Sequence, residues 1–122
     1  MELFDKVEGW SMVRGLDKAD PRNQYLKVVE EVGEIASGLA RNKKELIKDG
    51  IGDTFVTLII LAQQLGVTPE ECLLMAWNEI KDRNGLLVDG IFIKEEDFTE
   101  AQRWEFAEKA KKINAINVAG SL

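Results

Sequence analysis

The sequence predicts an all-α fold in a single domain over residues 1–122, with a four-helix core, a short β-hairpin and a C-terminal helix. Proline is rare, at 2 of 122 residues, and helix-forming residues such as Leu, Glu, Lys and Ala are abundant. Apolar residues recur at helical spacing over most of the chain. Helix-capping residues precede the periodic segments. We expect one core over about residues 1–97, with the last helix outside it.

The first two helices have clear boundaries. The first is predicted at residues 2–14, where apolar side chains recur at helical spacing up to Gly15. Asp20 is a good N-cap for the second, Pro21 suits its first position, and the pattern continues to about Ala40. Its apolar side chains are expected to face the core: Tyr25, Val28, Val29, Val32, Ile35, Ala36 and Leu39.

The third helix is predicted at about residues 43–65, and its second half is apolar on most sides, as expected for a central helix. Gly66 ends it. Thr68 and Glu71 then form a capping box that starts a fourth helix, which is expected to reach about Arg83. The apolar face of the fourth helix carries Leu73, Ala76, Trp77 and Ile80.

The pattern changes after the fourth helix. Two short apolar runs flank Asp89-Gly90, which predicts a β-hairpin with a tight turn at residues 86–93. A hairpin this small is marginal alone and must pack on another element. The last helix is predicted from Thr99 to about Ile113, with a frayed tail after Asn114.

Composition excludes several classes of function. The formal charge is −6 and no large basic block is present, which disfavours binding to a nucleic-acid polymer. No apolar run is long enough for a membrane span, and the acidic, polar N-terminus argues against a secretory signal. The lone Cys72 excludes an intramolecular disulfide, so we expect a cytoplasmic protein. An acidic protein that binds a polyanion needs a positive charge at its binding site, and a divalent cation can supply that charge.

Carboxylates are grouped on the second and third helices. Glu31 and Glu34 share a helical face, and Glu30 lies about 40° from Glu34. Asp49 and Asp53 are four residues apart and also share a face. Apolar side chains extend that face, which predicts that both aspartates point into the bundle. These side chains are Leu46, Val56 and Ile60.

Carboxylates turned into an apolar interior repel one another and lose hydration, so their pKa values rise or cations neutralise them. Such oxygen ligands suit Mg²⁺ or Mn²⁺, and no histidine or cysteine cluster competes for zinc. These ions bind phosphate oxygens and activate water for phosphoanhydride hydrolysis. The alternative is a solvated acidic face, the usual role of paired glutamates on a helix. Spacing alone does not decide between the two.

An ordered set of motifs resembles the MazG-like all-α nucleotide pyrophosphohydrolases, most closely their short, phage-type branch. The set comprises Trp10, Arg14-Gly15-Leu16, an EExGE helix at residues 30–34 and a D-x-I-G-D helix at residues 49–53. A segment at residues 89–97 is similar to the pattern NGIFVKEED. The resemblance spans roughly residues 4–97 and leaves the C-terminal helix outside.

The resemblance implies the four-helix core of the all-α NTP pyrophosphatase type and assembly as a homodimer or homotetramer. A lone subunit would also expose much of the apolar third helix, which favours an oligomer. The implied cofactor is Mg²⁺, with Mn²⁺ as a substitute. The implied reaction converts a nucleoside triphosphate, ribo or deoxy, to the monophosphate and pyrophosphate.

The metal motif of this family is ExxE followed by ExxD. Glu31 and Glu34 match the first pair and Asp53 matches the last acid, so the resemblance assigns the metal to them. The remaining glutamate would fall at Gly50, and Asp49 is its expected substitute. A glutamate placed at Gly50 is expected to supply the missing ligand and to favour the helical backbone.

Glu30 or Glu34 is expected to orient the attacking water. Lys81 and Arg83, with Asn78 on the face of Lys81, are expected to contact the β- and γ-phosphates, as the resemblance favours. The alternative is that these cations only complement the dipole at the end of their helix.

Four more residues are candidates for substrate contact. Trp10 could stack on the base, although a tryptophan at helical spacing is more often core. Arg14 and Gln24 could read the base or ribose, although either is a surface residue by default. Lys27 shares the stripe of the second-helix glutamates, so it could pair with them or approach a phosphate.

Two other functions remain open from the sequence. A dUTPase-like or other base-restricted hydrolase would use a similar site, and a substrate panel separates it. A non-catalytic helical interaction module with a degenerate site would account for Gly50, and negligible Mg²⁺ binding would identify it.

Overall fold

The computed structural model describes residues 2–120, with side chains described up to residue 116. These residues are mostly helical and include one two-stranded antiparallel sheet, which confirms the predicted all-α class with a hairpin. No single helix among them is long and apolar enough to cross a membrane. The elements are α1 Glu2–Val13, α2 Pro21–Ala40, α3 Lys44–Gln64, α4 Pro69–Ile80, β1 Gly85–Val88, β2 Ile91–Lys94 and α5 Glu100–Gly120, with single 3-10 turns at Leu16–Lys18 and Glu95–Asp97.

Three helices begin where the capping signals predict. The Asp20 side chain accepts a hydrogen bond from the backbone N–H two residues later at 2.9 Å. Before α4, the Thr68 hydroxyl accepts from the Glu71 N–H at 3.1 Å, and the Glu71 carboxylate accepts from the Thr68 N–H at 2.9 Å. Thr99 and Gln102 form the same reciprocal pair before α5. Side-chain hydrogen bonds therefore fix these boundaries locally.

Two helix ends differ from the sequence prediction. α4 stops at Ile80, before the expected end near Arg83. A turn follows, in which the Arg83 N–H donates a hydrogen bond to the Ile80 carbonyl oxygen at 2.9 Å, and the chain then continues into the hairpin. α5 continues past the expected end near Ile113 and reaches Gly120. No proline or glycine lies between Asn114 and Gly120 to stop it, so the tail that was expected to fray is helical.

The chain packs as two compact units, Met1–Met75 and Ala76–Leu122. The first unit contains α1, α2, α3 and the start of α4, and the second contains the end of α4, the hairpin and α5. The sequence predicted that only the last helix lies outside the core, whereas the structure groups the hairpin with that helix. A two-stranded hairpin is unstable alone, and α5 supplies apolar surface for it.

In the first unit, α2 and α3 run antiparallel with their backbones in close approach. A Cβ atom on Gly38 would lie 2.9 Å from Ile47 Cγ1 and 3.1 Å from the Ile47 backbone nitrogen. A Cβ atom on Gly50 would lie 2.9 Å from Ile35 Cγ1 and 3.2 Å from the Ile35 backbone nitrogen. Each helix therefore contributes one glycine at which the backbone of the other helix can approach closely.

These contacts define one contact face on each helix. The contact positions recur at alternating intervals of three and four residues. Toward the start of α2, the Gln24 side chain extends the contact by donating a hydrogen bond to the Thr57 carbonyl oxygen at 3.0 Å. By helical phase, the contact positions are Gln24, Val28, Glu31, Ile35 and Gly38 on α2 and Gly50, Thr54, Thr57, Leu61 and Gln64 on α3.

Two glutamines attach the N-terminal segment to α3. The Gln63 side chain donates a hydrogen bond to the Glu8 carbonyl oxygen in α1 at 3.1 Å. The Gln64 side chain donates to the Leu16 carbonyl oxygen, just after α1, at 2.8 Å. α1 and α2 thus cover two sides of α3.

The core is smaller than the sequence predicts. Val28 of α2 is buried, but Tyr25, Val29, Val32 and Leu39 expose between 49% and 64% of their surface. Among the described residues, α4 contributes none to the core. α2 stays largely open because α3 covers one side of it, whereas α3 is covered by both α1 and α2. Buried apolar residues are Val28, Ile59, Ile60 and Ala62 in the first unit and Leu86 and Phe98 in the second.

The second unit contains the predicted hairpin. Asp89 and Gly90 both have positive φ, 51° and 79°, as a type I′ turn requires. Leu86 is buried, and the Phe98 ring lies 5.6 Å from the Phe106 ring of α5, centroid to centroid. The hairpin therefore packs on α5, as expected for so small a sheet.

The glycine contact predicts opposite effects for two alanine substitutions in α3. Gly50→Ala should lower the free energy of unfolding, because overpacking costs about 1–3 kcal/mol and the gain in helix propensity is at most about 1 kcal/mol. Gly52→Ala is the matched control, since nothing lies within 4 Å of its Cβ position, and it should stabilise the helix. Denaturant unfolding followed by circular dichroism measures both, and equal stabilisation would contradict the close contact.

Candidate functional site

Three of the predicted metal ligands come together on one side of the α2–α3 pair. Glu31 and Glu34 extend from α2 and Asp53 from α3, and each offers a carboxylate oxygen within 4.8 Å of the other two. Glu31 lies in the contact face, whereas Glu34 and Asp53 each precede a contact position by one residue. Because the helices are antiparallel, such preceding positions lie on the same side of the pair. We call these three residues the acidic cluster.

Glu31 is the least satisfied member of the acidic cluster. Its side chain is partly buried, and its Oε2 atom finds no hydrogen-bond partner among the described residues. Burial raises the pKa of Glu31, and the negative charges of Glu34, Asp53 and Glu30 raise it further. A buried acceptor without a donor, next to like charges, destabilises the fold unless a positive charge compensates it.

The acidic cluster fits a hard divalent cation. Carboxylate oxygens are the ligands that Mg²⁺ and Mn²⁺ prefer, and Mg²⁺ usually takes one or two of them while keeping several waters. Glu31 Oε2 supplies an acceptor that lacks a partner within the described chain. Glu34 is exposed, so the cluster is open to solvent and to a substrate on that side.

The structure does not bring Asp49 into the acidic cluster. Asp49 precedes Asp53 by one helical turn, but it is exposed and lines a separate cavity of about 850 Å³ at the α2–α3 connection. The cations that line the same cavity are Arg41, Lys43 and Lys44. The predicted role of Asp49 as a metal ligand stays a prediction.

Gly50 packs against α2. The expectation that a glutamate at this position would favour the helical backbone therefore conflicts with the structure. Its Cβ position meets both the side chain and the backbone of Ile35, so a larger residue would enter α2. The propensity gain expected for replacing this glycine is therefore opposed by overpacking.

Glu30 and Lys27 pair with each other beside the acidic cluster. The Lys27 Nζ lies 3.3 Å from Glu30 Oε2, and both side chains are more than half exposed. Lys27 thus contacts Glu30 and not the cluster acids that the sequence offered as its partners. An exposed pair of this kind is weak. Glu30 therefore remains available at the edge of the cluster, where its charge contributes to the raised pKa of Glu31.

Trp10 and Arg14 contact each other on α1. The Arg14 guanidinium lies over the Trp10 ring, 4.2 Å from its centroid, and donates a hydrogen bond to the Trp10 carbonyl oxygen at 3.1 Å. Trp10 still exposes 47% of its surface and lines a cavity of about 360 Å³. Val56 lines the same cavity and follows Asp53 by three residues on α3. This cavity therefore lies within one helical turn of the acidic cluster.

The Gln24 side chain connects α2 to α3 in the described part of the chain. Its amide nitrogen is hydrogen bonded to the Thr57 carbonyl oxygen, which ties α2 to α3. The predicted contact of Gln24 with a base or ribose would use the amide oxygen or the second N–H of the amide nitrogen.

The other predicted substrate contacts lie in the second unit. Asn78, Lys81 and Arg83 are exposed at or just after the end of α4. Arg83 lines a cleft of about 560 Å³ within that unit. The cleft is lined mainly by acids, which suits a phosphate less well than the sequence suggested; its other residues are Glu79, Asp82, Asn84, Lys94, Glu95 and Glu96.

Sequence reasoning missed two sets of residues. Lys6 lines the Trp10 cavity, and its position one turn before Trp10 on α1 was the signal for it. The cations at the α2–α3 connection share a cavity with Asp49, and only their closeness in sequence, at residues 41–44, pointed to them.

Comparison with known proteins finds one curated relative. The chain is 45% identical over 64 residues to an uncharacterized 18.2 kDa protein from the rep-hol intergenic region of Haemophilus phage HP1 (strain HP1c1). The match covers 52% of this chain and 39% of the relative, so the chain spans well under half of the relative's length. No family model and no solved structure matches the chain.

The raised pKa of Glu31 predicts a pH-dependent gain from Glu31→Gln in metal-free buffer. Between the ordinary value of 4.5 and the raised value, the folded state binds more protons than the unfolded state, so wild-type stability falls as pH rises through this window. Glutamine removes the charge, so the variant should be the more stable protein at neutral pH, and this advantage should disappear below about pH 4.5.

Thermal unfolding across this pH range measures the effect. Glu45→Gln is the control, because the Glu45 side chain on α3 is 89% exposed and should give little change. An advantage of Glu31→Gln that is the same at every pH would mean that charge repulsion in the acidic cluster is not its cause.

Proposed function

We propose that this chain is a Mg²⁺-dependent nucleoside triphosphate pyrophosphohydrolase that produces a nucleoside monophosphate and pyrophosphate. The observation that carries the proposal is the acidic cluster, in which Glu31, Glu34 and Asp53 hold carboxylate oxygens within 4.8 Å of one another. The MazG-like motif order of the sequence supports the same reaction. In this proposal these three residues hold the ion, with Mn²⁺ as a substitute.

Electrostatics supports a role for a cation in substrate binding. The acidic cluster and Glu30 repel a triphosphate, and the chain as a whole has a charge of −6. When bound, Mg²⁺ supplies charge for the phosphate oxygens and lowers the pKa of a coordinated water. A cation held by the acidic cluster would therefore offset this repulsion on this side of the α2–α3 pair.

Residues of the chain have separate roles in positioning the water, binding the metal and binding the nucleoside. We assign the positioning of the attacking water to Glu34, because it is the exposed member of the acidic cluster, whereas Glu30 lies outside the cluster. Glu31 and Asp53, the partly buried members, would serve as ligands. The Trp10 cavity, within one turn of Asp53, is the candidate site for the nucleoside, since its walls are mainly apolar and aromatic.

Metal binding gives a matched test on α3. Mg²⁺ should raise the melting temperature of the wild type, since a ligand that binds only the folded state adds about 2.7 kcal/mol at 100 times its Kd. Asp53→Asn should abolish this response, whereas Asp49→Asn, four residues away and outside the acidic cluster, should retain it. Scanning calorimetry with and without Mg²⁺ measures both.

Two other outcomes of this test lead to different conclusions. Equal loss in both aspartate variants would make Asp49 a ligand, as the sequence suggested. No metal response in the wild type would contradict the proposed site and favour the non-catalytic interaction module.

Product analysis tests the reaction itself. Incubation with each ribo- and deoxynucleoside triphosphate and Mg²⁺ should release a monophosphate and pyrophosphate, resolved by ion-exchange chromatography and ³¹P NMR. Asp53→Asn should reduce the rate by about 100-fold or more, equivalent to roughly 2.7 kcal/mol of transition-state stabilisation. A nucleoside diphosphate and orthophosphate as the primary products would contradict cleavage at the α-phosphate. A single accepted base would indicate the base-restricted alternative.

A further inference from the structure

A basic cavity lies beyond the acidic cluster, at the connection between α2 and α3. Its volume is about 850 Å³, and three cations line it: Arg41, Lys43 and Lys44. We call these three residues the basic cluster. The turn between the helices fixes their positions, because the Lys43 N–H donates a hydrogen bond to the Gly38 carbonyl oxygen at 3.0 Å and Asn42 adopts a positive φ of 53°.

Helical phase places this cavity in line with the acidic cluster. Arg41 follows Glu34 by seven residues and keeps a helical backbone, so both lie on one side of α2. Leu46 and Asp49 line the cavity from α3 and precede Asp53 by seven and four residues, so they share its side of α3. Four residues advance a helix by about 6 Å. The basic cavity therefore begins about one helical turn beyond the acidic cluster.

The candidate site for the nucleoside lies at the opposite end of this line. Val56 lines the Trp10 cavity and follows Asp53 by three residues, whereas Asp49 lines the basic cavity and precedes Asp53 by four. The first unit thus presents, in order along α3, a mainly apolar cavity, a carboxylate cluster that fits a cation, and a basic cavity. A nucleoside triphosphate carries its base, its α-phosphate and its two terminal phosphates in the same order.

The basic cluster has positive charge available for an anion. None of its three side chains forms an ion pair with another described residue. Of the two carboxylates that line the cavity, Glu45 lies 3.7 Å from Lys48 Nζ, which leaves Asp49 as the acid that opposes the cluster. Three cations beside one such carboxylate make the cavity positive in a chain whose total charge is −6.

We propose that the basic cluster binds the β- and γ-phosphates of the substrate and then the pyrophosphate product, which deepens the proposed function and rests on it. Attack of water on the α-phosphorus forms one P–O bond and breaks the bond to the oxygen that bridges to the β-phosphate. The electron pair of the broken bond leaves with pyrophosphate, and the proton of the water passes to Glu34. The negative charge that develops on the leaving group therefore appears beside three cations.

This assignment differs from the sequence prediction for Lys81 and Arg83. The cleft that Arg83 lines holds four carboxylates and one other cation, Lys94. Carboxylates repel a polyanion and unpaired cations attract it, so the basic cavity is the better site for the terminal phosphates.

Inorganic pyrophosphate in metal-free buffer is the probe, because its binding to the basic cluster requires no ion at the acidic cluster. In calorimetric titrations of the full chain, the Lys43→Gln, Lys44→Gln double variant should raise the Kd on the order of 10-fold or more. The control is the Lys111→Gln, Lys112→Gln double variant, which removes the same charge from an exposed adjacent pair on α5 and should leave the Kd unchanged. Orthophosphate should bind more weakly, since one phosphate contacts fewer cations.

NMR locates the bound anion independently of any substitution. In ¹⁵N–¹H spectra of the wild type, pyrophosphate should shift the backbone amides of residues 41–46 and leave those of residues 79–84 unchanged. Lys43 and Lys44 are exposed, so their double variant should keep the wild-type circular dichroism spectrum. In turnover with a triphosphate and Mg²⁺, the same variant should raise the KM and weaken inhibition by pyrophosphate.

Several results would overturn the proposal. Amide shifts confined to residues 79–84 would assign the phosphates to Lys81 and Arg83. An equal rise in Kd for both double variants would mean that only net charge matters, and a wild type that binds no pyrophosphate in either measurement would exclude the site. Triphosphate hydrolysis with unaltered KM and pyrophosphate inhibition in the Lys43→Gln, Lys44→Gln variant would overturn this proposal and leave the proposed function standing. Pyrophosphate binding at residues 41–46 without hydrolysis of any triphosphate would support the anion site and contradict the proposed function.

Discussion

Gly38 and Gly50 bring the backbones of α2 and α3 into direct contact, and this contact sets the register of the two helices. With each glycine against an isoleucine of the partner helix, Glu31 falls level with Asp53 and their carboxylates meet. A slip of one turn would move them about 5.4 Å apart along the axis. The chemistry proposed for the acidic cluster thus depends on two residues that have no side chain.

The same register separates the two sides of the α2–α3 pair. Residues just before the contact positions include Glu34 and Asp53, and residues just after them are apolar. Each side is incomplete in the isolated chain, because one side concentrates negative charge and the other exposes apolar surface. A bound cation would compensate the charge on the first side.

Local signals predicted most element boundaries, because local interactions fix them. The Thr68–Glu71 capping box and the Asp89-Gly90 turn each involve residues within three positions of one another, so their geometry depends little on the rest of the chain. The end of α5 was predicted too early because helix ends without a glycine or proline carry no strong local signal.

The sequence by itself determined the helical class and the hairpin, because helical phase and turn chemistry are properties of the chain alone. The grouping of Glu31, Glu34 and Asp53 was expected from the motif resemblance, and the tertiary structure brings their carboxylates together. Only the tertiary structure decided that Asp49 lies outside the acidic cluster, although it shares a helical face with Asp53. It likewise decided that Gly50 is a packing residue and that the apolar residues of α2 divide into a contact face and an exposed stripe. The physical reason is that phase gives the direction of a side chain, whereas the distance to a neighbouring helix depends on how closely the two backbones can approach.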